Sequence, residues 1–342
     1  MHDPELHGAR VGVVIPAYRV ERQIQSVLRA IPAWVEAVFV VDDQSPDQTA
    51  ARVAEVADPR VTLLRHAENR GVGGAMRTGF RAALERGLDV IVKMDGDDQM
   101  DPAYLPELVQ PLVDGRADFA KGNRYASTPS LKQMPLVRLL GNAGLTFLVK
   151  LSSGYWNIFD PANGYIAIRA AVLARIELAR LPERYFFESG LLIELGKLRA
   201  VIRDVPIPAR YADEHSSLSI AHTLMTFPPR LLWGLGRRLF WRYFVHDFAA
   251  LSVFFLLGVP LLLWGAVYGG LVWRDVLANG VDATAGQVML AAMPVILGVQ
   301  FLSQAVVLDI QNVPREPLSG PIRPEQPAPS ARQGLGSAAR RG

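Results

Sequence analysis

The sequence contains no cysteine among its 342 residues. A disulfide framework and a thiolate metal site are therefore excluded, and any metal must be bound by carboxylate, amide or imidazole groups. The formal net charge is only +3, so charge gives no argument for nucleic acid as a partner. The first ten residues are polar and lack an apolar run of signal-peptide length. We therefore expect the first part of the chain to lie in the cytoplasm.

Two long uncharged runs, 248–271 and 288–308, stand out in a sequence that is 50% hydrophobic. Each run is long enough to span a bilayer. Arginines precede the first run and follow the second, and the positive-inside rule then places both outer ends in the cytoplasm. The pattern predicts a multi-pass protein of the cell (inner) membrane with a cytoplasmic N-terminal domain. The alternative is a buried helical hairpin within a soluble core.

The N-terminal third alternates between short apolar runs and helix-like segments. The apolar runs 11–15, 37–41, 61–64 and 90–94 are continuous, as expected of strands covered on both faces. Strands that alternate with helices indicate an α/β domain with a mostly parallel sheet. Ligands of such sheets bind beyond the carboxyl ends of the strands. A further strand is expected at 201–205 and a largely helical segment at 181–198.

The composition divides the chain into four parts. Residues 1–219 form the α/β domain. In residues 220–246 arginine and aromatic residues are interleaved without an acidic residue, which is typical of an amphipathic helix at a membrane surface, although an ordinary basic surface helix fits as well. Residues 247–310 contain the two predicted spans. Residues 311–342 are rich in Pro, Gly, Ser and Arg, and we expect a disordered tail.

An acidic run directly after the fourth predicted strand is the strongest chemical signal. Asp95 and Asp97 lie two residues apart on a turn, so both carboxylates can face one hard cation, and Gln99 can add an amide oxygen. Mg²⁺ or Mn²⁺ bound there would neutralise a diphosphate. Asp98 is then a neighbour, and Asp101 caps the helix that begins at Pro102. The alternative is an acidic turn whose only role is helix capping.

Two weaker signals follow the first two strands. Asp43 lies at the end of the second strand, where a carboxylate can accept hydrogen bonds from a base or ribose; the same segment is rich in turn formers, and Asp47 could cap the next helix. Tyr18 follows the first strand and could pack on a base. The glycine-rich segment 69–74 lacks the dinucleotide spacing, so close helix–sheet packing is the expected role of its glycines.

Together these motifs resemble the family 2 glycosyltransferases. The resemblance covers about residues 11–219 and is carried by V-I-P-A-Y-x-x-E, V-V-D-D-x-S-x-D, N-R-G-x-G-G-A, M-D-G-D-D-Q-M-D-P and G-N-R-Y, in that order. Within this family, the sequence most resembles the polyprenyl-phosphate branch, which includes dolichol-phosphate mannose synthases. The resemblance implies a GT-A fold and inverting transfer of a sugar from a UDP- or GDP-linked donor to a polyprenyl phosphate in the lipid bilayer.

The resemblance also implies roles for individual residues. It assigns the metal to Asp95, Asp97 and Gln99, and it implies catalytic roles for Asp97 and Arg124. The donor would contact Pro16, Tyr18, Glu21, Val41, Asp43, Asp95, Gly96, Arg124 and Arg210. The acceptor phosphate would contact Arg124, Arg138 and Asn142. Asn142 stands where the family has a serine, and the basic residue that the family carries after Arg210 is missing, with His215 nearby.

The identity of the acceptor decides whether a base is needed. A lipid phosphate is already ionised near neutral pH and needs no strong base, whereas a sugar hydroxyl does. Glu188 is the candidate base, and its alternative is a helix-surface carboxylate. Two other functions stay open: a processive polysaccharide synthase, which would carry a Q-x-x-R-W motif and more spans, and a non-catalytic membrane-tethered nucleotide-sugar binder, against which the intact acidic trio argues. Homo-oligomerisation is compatible with the sequence.

Overall fold

The computed structural model describes residues 6, 8–124, 136–208 and 220–322, apart from the side chains of 136–140, 142 and 220–224. One seven-stranded sheet forms the centre of the N-terminal domain. Its strands are β1 (Val11–Ala17), β2 (Ala37–Asp42), β3 (Val61–Arg65), β4 (Val90–Lys93), β5 (Phe119–Asn123), β6 (Ile166–Arg169) and β7 (Ile202–Pro206). The four strands predicted in the N-terminal third and the strand predicted at 201–205 are therefore confirmed.

The sheet is mostly parallel, with strand order β3-β2-β1-β4-β6-β5-β7. β1 pairs in parallel with β2 and β4, β2 with β3, and β5 with β7. β6 is antiparallel to both β4 and β5, so those two run in the same direction. The carboxyl ends of β1, β2, β4, β5 and β7 consequently meet at one edge. β5 and β6 were not predicted from the sequence.

Helices cover both faces of the sheet. The helices of this domain are α1 (Ile24–Ala30), α2 (Thr49–Ala54), α3 (Gly71–Glu85), α4 (Leu105–Val113), α5 (Leu136–Ser153), α6 (Ala170–Leu173) and α7 (Phe187–Leu198). α1, α2 and α4 bury their apolar side chains in one core, and α3, α5 and α7 in the other. Two buried faces explain why β1, β2 and β4 are continuous apolar runs.

Three helices form the C-terminal part: α8 (Ile220–Phe240), α9 (Ala250–Asn279) and α10 (Ala285–Gln311). α9 and α10 are each long and apolar enough to cross a membrane, and most of their side chains are exposed in the protein alone. They pack closely through glycine: a Cβ at Gly258 would lie 3.2 Å from the carbonyl oxygen of Gly298. Small residues at such contacts are typical of helices that associate in lipid.

The segment between the sheet domain and the two apolar helices differs from the prediction. α8 continues into a π-helical turn, Trp241–His246. Trp233, Phe240 and Trp241 are exposed, as expected of a membrane-surface helix. Arg238 and Arg242 are buried, however, and do not form a basic surface. Arg238 donates to a carboxylate of α10, and Arg242 donates to the Asn312 carbonyl just after that helix.

The predicted disorder of the tail from residue 311 does not hold for its first part. Residues 312–322 follow α10 and return to the sheet domain, where the N–H of Leu318 donates to the Asp118 carboxylate. The N–H of Ile322 donates to the Val113 carbonyl at 2.9 Å, and its side chain packs on the core beside α4. Backbone hydrogen bonds and a partly buried side chain offset the entropy that was expected to keep this segment disordered. Residues 323–342 lie outside the described residues.

Candidate active site

The acidic run forms a tight turn at the carboxyl edge of β4. Asp97 Oδ1 accepts a hydrogen bond from the Gln99 N–H at 3.1 Å. Asp98 has a φ of 64°, in the left-handed region that Asp tolerates better than most residues. Gly96 is buried, and a Cβ there would lie 3.3 Å from side chains of Val20 and Ile24. The turn therefore requires a small residue between the two carboxylates.

Asp101 closes this turn as a helix cap. Its side chain accepts a hydrogen bond from the Ala103 N–H at 3.0 Å, at the start of the 3₁₀ turn Pro102–Tyr104 that leads into α4. This confirms its predicted role and separates it from the cation site. Asp47 lies one residue before the N-cap of α2, and its Oδ1 accepts from the Thr49 N–H at 3.1 Å.

Lys93, at the end of β4, connects two predicted site residues. Its fully buried ammonium lies 2.6 Å from Asp95 Oδ1 and 3.5 Å from Glu188 Oε1. Burial lowers the pKa of Lys93, but the two carboxylates together raise it above its ordinary value. Glu188 lies in the first turn of α7 with its side chain only 14% exposed. It is therefore an internal ion-pair partner and not the helix-surface carboxylate considered above.

The chemistry of this turn fits a shared magnesium or manganese site. Within the described part of the chain, no group of three or more His, Asp or Glu side chains is arranged to hold an ion alone. Asp95 and Asp97 still supply two carboxylates on one turn, which also carries Gln99. Mg²⁺ commonly uses one or two protein carboxylates and completes its coordination with substrate phosphates and water. The residues fit a cation held jointly with a diphosphate.

Arg124 follows β5 at the same edge of the sheet. Its Nε donates to Asp160 Oδ2 at 2.7 Å and its Nη2 to Oδ1 at 3.1 Å, while Asp160 itself is buried. This two-point contact fixes the plane of the guanidinium group. The Arg124 side chain stays 40% exposed, so part of it faces solvent at the site. A positive charge fixed at this edge can stabilise phosphate oxygens.

Lys121, in β5, is a second buried lysine beside the site. Its ammonium group donates to the Asn163 carbonyl, and the Asn163 amide donates to the Gly122 carbonyl at 2.8 Å. Burial lowers the pKa of Lys121 to about 8, although Asp160 and Glu188 oppose the shift. Sequence reasoning missed Lys93, Lys121 and Asp160. The signal for the two lysines was present, because a lysine within an apolar strand is rarely fully buried without a partner.

The predicted nucleotide residues lie at the ends of β1 and β2. Pro16 and Val41 are direct neighbours in the parallel β1–β2 pair. Tyr18 is 44% exposed, and the Arg19 guanidinium lies 5.2 Å from its ring centroid. Glu21 Oε2 accepts from the Gln48 N–H at 2.9 Å, which ties it to the start of α2. These residues line one edge of the sheet, and their contact with a nucleotide stays a prediction.

Asp43 is buried and shapes the neighbouring loop. Its carboxylate accepts from the backbone N–H groups of Arg70 and Gly71 at 2.9 and 2.6 Å, and it lies 2.7 Å from His66 Nδ1. These bonds satisfy donors at the start of α3. The carboxylate thus has a structural function in the loop, and a hydrogen bond from a base or ribose would be additional to it.

The glycines of segment 69–74 allow close packing, but not against the sheet, so the helix–sheet role predicted for them is wrong. Gly71 has a φ of 78°, and a Cβ there would lie 2.8 Å from the Glu183 carbonyl oxygen. A Cβ at Gly73 would collide with the Pro182 carbonyl. Gly79, in the next turns of α3, is the glycine that contacts the sheet, at Val14 of β1. The first two glycines instead pack on the segment that leads into α7 and Glu188.

The side chains of three residues predicted to contact phosphate lie outside the described residues. Arg138 and Asn142 lie on α5, and their side chains are outside the described residues. Arg210 lies outside the described residues altogether. The contacts of the acceptor phosphate therefore stay predictions. Among the described residues, the structure places Asp95, Asp97, Gln99, Arg124 and Glu188 at one edge of the sheet.

Comparison with known proteins agrees with this architecture. The family model described as Glycosyl transferase family 2 matches residues 12–177. A UDP-N-acetylglucosamine–dolichyl-phosphate N-acetylglucosaminyltransferase of Methanococcus voltae is 30% identical over 216 residues, 59% of this chain and 86% of that protein. An undecaprenyl-phosphate mannosyltransferase of Micrococcus luteus is 34% identical over 208 residues, 58% of this chain and 82% of that protein.

A solved structure with the same fold is glucosyl-3-phosphoglycerate synthase from Mycobacterium tuberculosis, crystallised with Mn²⁺, UDP and phosphoglyceric acid. It superposes with a TM-score of 0.52 at 21% identity and covers 69% of this chain and 84% of that chain. At this identity the likeness establishes the GT-A-like fold alone. Sequence relatives, the family match and the fold together lead to one assignment: the chain is a glycosyltransferase and belongs to glycosyl transferase family 2.

Proposed function

We propose that the protein is a metal-dependent, inverting glycosyltransferase that moves a sugar from a UDP- or GDP-linked donor to a membrane polyprenyl phosphate. The observation that carries the proposal is the arrangement at one sheet edge, where the carboxylates of Asp95 and Asp97 lie with the fixed guanidinium of Arg124. The relatives named for transfer to dolichyl and undecaprenyl phosphates support the acceptor class.

Donor binding would use the two carboxylates and Arg124 together. A bound Mg²⁺ or Mn²⁺ supplies positive charge that stabilises the diphosphate as the bond to the sugar breaks. Asp95, Asp97 and Gln99 would hold that ion, and Asp160 would keep Arg124 oriented towards the leaving oxygens. Most of the catalytic effect then comes from alignment and charge stabilisation by groups that are already in place.

The environment of Glu188 favours a phosphate acceptor. A lipid phosphate carries its negative charge before the reaction, so it can attack the sugar without giving up a proton to the protein. Glu188 forms an ion pair with Lys93 at 3.5 Å, so its carboxylate already has a charge partner and a structural role beside the site. The second candidate is transfer to the hydroxyl of a lipid-linked sugar, with Glu188 as the base. Lys93 contacts both Glu188 and Asp95, so Glu188 lies close to the proposed metal ligands. This position is compatible with the role of a base.

The proposal includes a membrane location. The apolar helices α9 and α10 would span the inner membrane as a hairpin, with the exposed aromatic residues of α8 at the headgroup level. The catalytic domain would lie on the cytoplasmic side, where nucleotide-sugars are made available. Protease added to right-side-out and inside-out vesicles checks the orientation; cleavage of the catalytic domain in right-side-out vesicles would contradict it.

The central experiment is sugar transfer in membranes. Membranes that contain the protein are incubated with labelled UDP- and GDP-sugars, undecaprenyl phosphate and Mg²⁺ or Mn²⁺, and the organic phase is counted. We expect label with one donor and its loss, by about 100-fold or more, in Asp97→Ala. Asp98→Asn is the matched control, because Asn also tolerates a positive φ and the residue is not a proposed ligand. Nucleotide binding without label from any donor would instead support the non-catalytic binder.

A further inference from the structure

A buried carboxylate near the end of α10 joins three parts of the molecule. Arg238 of α8 donates to Asp309 through Nη1 at 2.8 Å and through Nη2 at 2.9 Å. Tyr243 donates its hydroxyl to Oδ1 at 2.6 Å, and the Trp156 indole N–H donates to Oδ2 at 3.1 Å. Four hydrogen bonds therefore meet at one carboxylate, which is 3% exposed, while Arg238 is 0% exposed.

The donors come from different structural units. Asp309 belongs to the second apolar helix, Arg238 and Tyr243 belong to α8 and its π-helical turn, and Trp156 belongs to the catalytic domain just after α5. Arg238 Nη2 also donates to the Leu151 carbonyl in the last turn of α5, at 2.8 Å. This group of contacts, the Asp309 junction, therefore links the hairpin directly to the helix that carries Arg138 and Asn142.

The backbone is adapted to the same contact. Gly154 follows α5 with a φ of 80°, and a Cβ there would lie 2.6 Å from Arg238 Nη1. A side chain at this position would meet both a strained backbone and the guanidinium group. The loop after α5 thus leaves room for the arginine that binds α10.

A buried ion pair is weak evidence for a gain in stability, because apolar side chains of similar volume often pack as well. What distinguishes a two-point Arg–carboxylate contact is direction: it forms in one relative arrangement of its partners. Apolar packing between helices permits small rotations that the Asp309 junction does not. The burial of both Arg238 and Asp309 is therefore better explained by this directional contact than by a gain in stability.

We propose that Asp309 is a positioning residue that holds the catalytic domain in one orientation on the membrane hairpin, so that a long-chain lipid phosphate reaches the acceptor side of the site. This inference rests on the proposed function for its acceptor. It predicts that the junction matters for an acceptor anchored in the bilayer and does not matter for one that diffuses to the site from water. Donor binding should be independent of it.

The test compares two acceptors in Asp309→Asn. The KM for undecaprenyl phosphate in phosphatidylethanolamine–phosphatidylglycerol vesicles should rise about tenfold, since a smaller fraction of molecules holds the productive orientation. The KM values for the nucleotide-sugar and for water-soluble geranyl phosphate should stay within about twofold.

Tyr243→Phe, which removes one of four hydrogen bonds, should cause a smaller rise in the KM for the long acceptor and covers the case in which Asp309→Asn does not fold. Asp282→Asn, the same change in the exposed loop at the other end of the hairpin, should change neither KM. Equal losses with both acceptors, or no loss with either, would overturn the proposal.

A distance measurement tests the same inference without activity. The chain has no cysteine, so spin labels can be attached to single cysteines at Glu85 of α3 and Ala278 of α9, both exposed. We expect one narrow distance distribution in the otherwise unchanged chain and a clearly broader one in Asp309→Asn. Identical distributions would overturn the positioning role. If the unchanged chain transferred sugar to neither acceptor, the proposed function would fail, and the distance measurement would still decide this inference.

Discussion

Lys93 Nζ lies 3.5 Å from Glu188 Oε1, and this contact joins the strand before the acidic turn to the first turn of α7. The same ammonium lies 2.6 Å from Asp95 Oδ1. One buried cation therefore sits between a proposed metal ligand and the candidate base. Without it, two carboxylates would share a largely buried space and lack the cation that contacts them both, which is unfavourable for both.

The first prediction concerns Lys93→Met. Removing the cation leaves Asp95 and Glu188 without their partner, and we expect the free energy of unfolding to fall by about 2 kcal/mol. Thermal unfolding in detergent measures this. The double variant with Glu188→Gln should lose less than the sum of the single losses, because the two side chains interact directly. Lys197→Met is the matched control, since its partner Glu194 is on the same helix at a partly exposed position. Additive losses would contradict the contact.

Glu188→Gln separates the two acceptor classes. With a lipid phosphate acceptor the carboxylate only balances Lys93, and we expect kcat to fall by less than about tenfold with an unchanged pH profile. Loss of a general base would lower kcat by about 100-fold to 10,000-fold and would remove the acidic limb of the profile. Transfer rates between pH 5.5 and about 8.5 distinguish the outcomes. The second result would favour transfer to a sugar hydroxyl.

Arg124→Lys tests the fixed guanidinium group. Lysine keeps the charge but cannot form the two-point contact with Asp160, so the cation loses its orientation at the sheet edge. We expect kcat to fall by about 10- to 100-fold with little change in thermal stability. Arg116→Lys is the matched control, because that arginine pairs with Asp114 at an exposed position, at the far end of β5 from the site. A variant as active as the unchanged chain would remove Arg124 from the proposed machinery.

The strands of the N-terminal third could be predicted because their burial on both faces leaves a continuous apolar pattern. β5 and β6 could not, since F-A-K-G-N contains a lysine and a glycine and I-A-I-R lies in a stretch of mixed composition. Both are stable only through pairing with neighbours that are distant in sequence. The capping role of Asp101 was predictable because it depends on a local turn. The partners of Lys93 and Asp160 were not, since only the tertiary fold brings Glu188 and Arg124 near them. The apolar strand around Lys93 indicated only a buried lysine with some partner.

Lys121 should make stability depend on pH in a defined window. Burial lowers its pKa to about 8 in the folded protein, below the ordinary value of 10.5. Between these values the unfolded chain keeps a proton that the folded chain has released, so the free energy of unfolding rises with pH. Relative to Lys121→Met, the unchanged chain should gain up to about 1.4 kcal/mol per pH unit in that window and nothing below it.

Unfolding at pH 7 to 10 measures this difference. Lys93→Met is the internal control, because the pKa of Lys93 is raised and its contribution should stay constant up to the ordinary value of 10.5. A stability difference for Lys121→Met that is flat across the window would contradict the lowered pKa.

The returning tail should stabilise the catalytic domain. The Asp118 carboxylate accepts from the Leu318 N–H at 3.0 and 2.9 Å and from the Val201 N–H at 2.8 Å, so the tail supplies part of the hydrogen bonding of a fully buried charge. The Ile322 side chain also packs on the core beside α4. A chain that ends at Gln311 loses both interactions and admits water to Asp118. We expect its free energy of unfolding to fall by about 2 to 3 kcal/mol.

A chain that ends at Ile322 is the matched control, because it keeps every described contact of the tail. Its melting temperature should equal that of the full chain, while the shorter chain should melt about 4 to 10 °C lower. Asp118→Asn in the full chain should reproduce part of the loss, since the amide accepts fewer and weaker hydrogen bonds from the two N–H groups. Equal melting temperatures for the two truncated chains would mean that residues 312–322 contribute nothing to the fold. Any stabilisation by the tail would then come from the residues after Ile322.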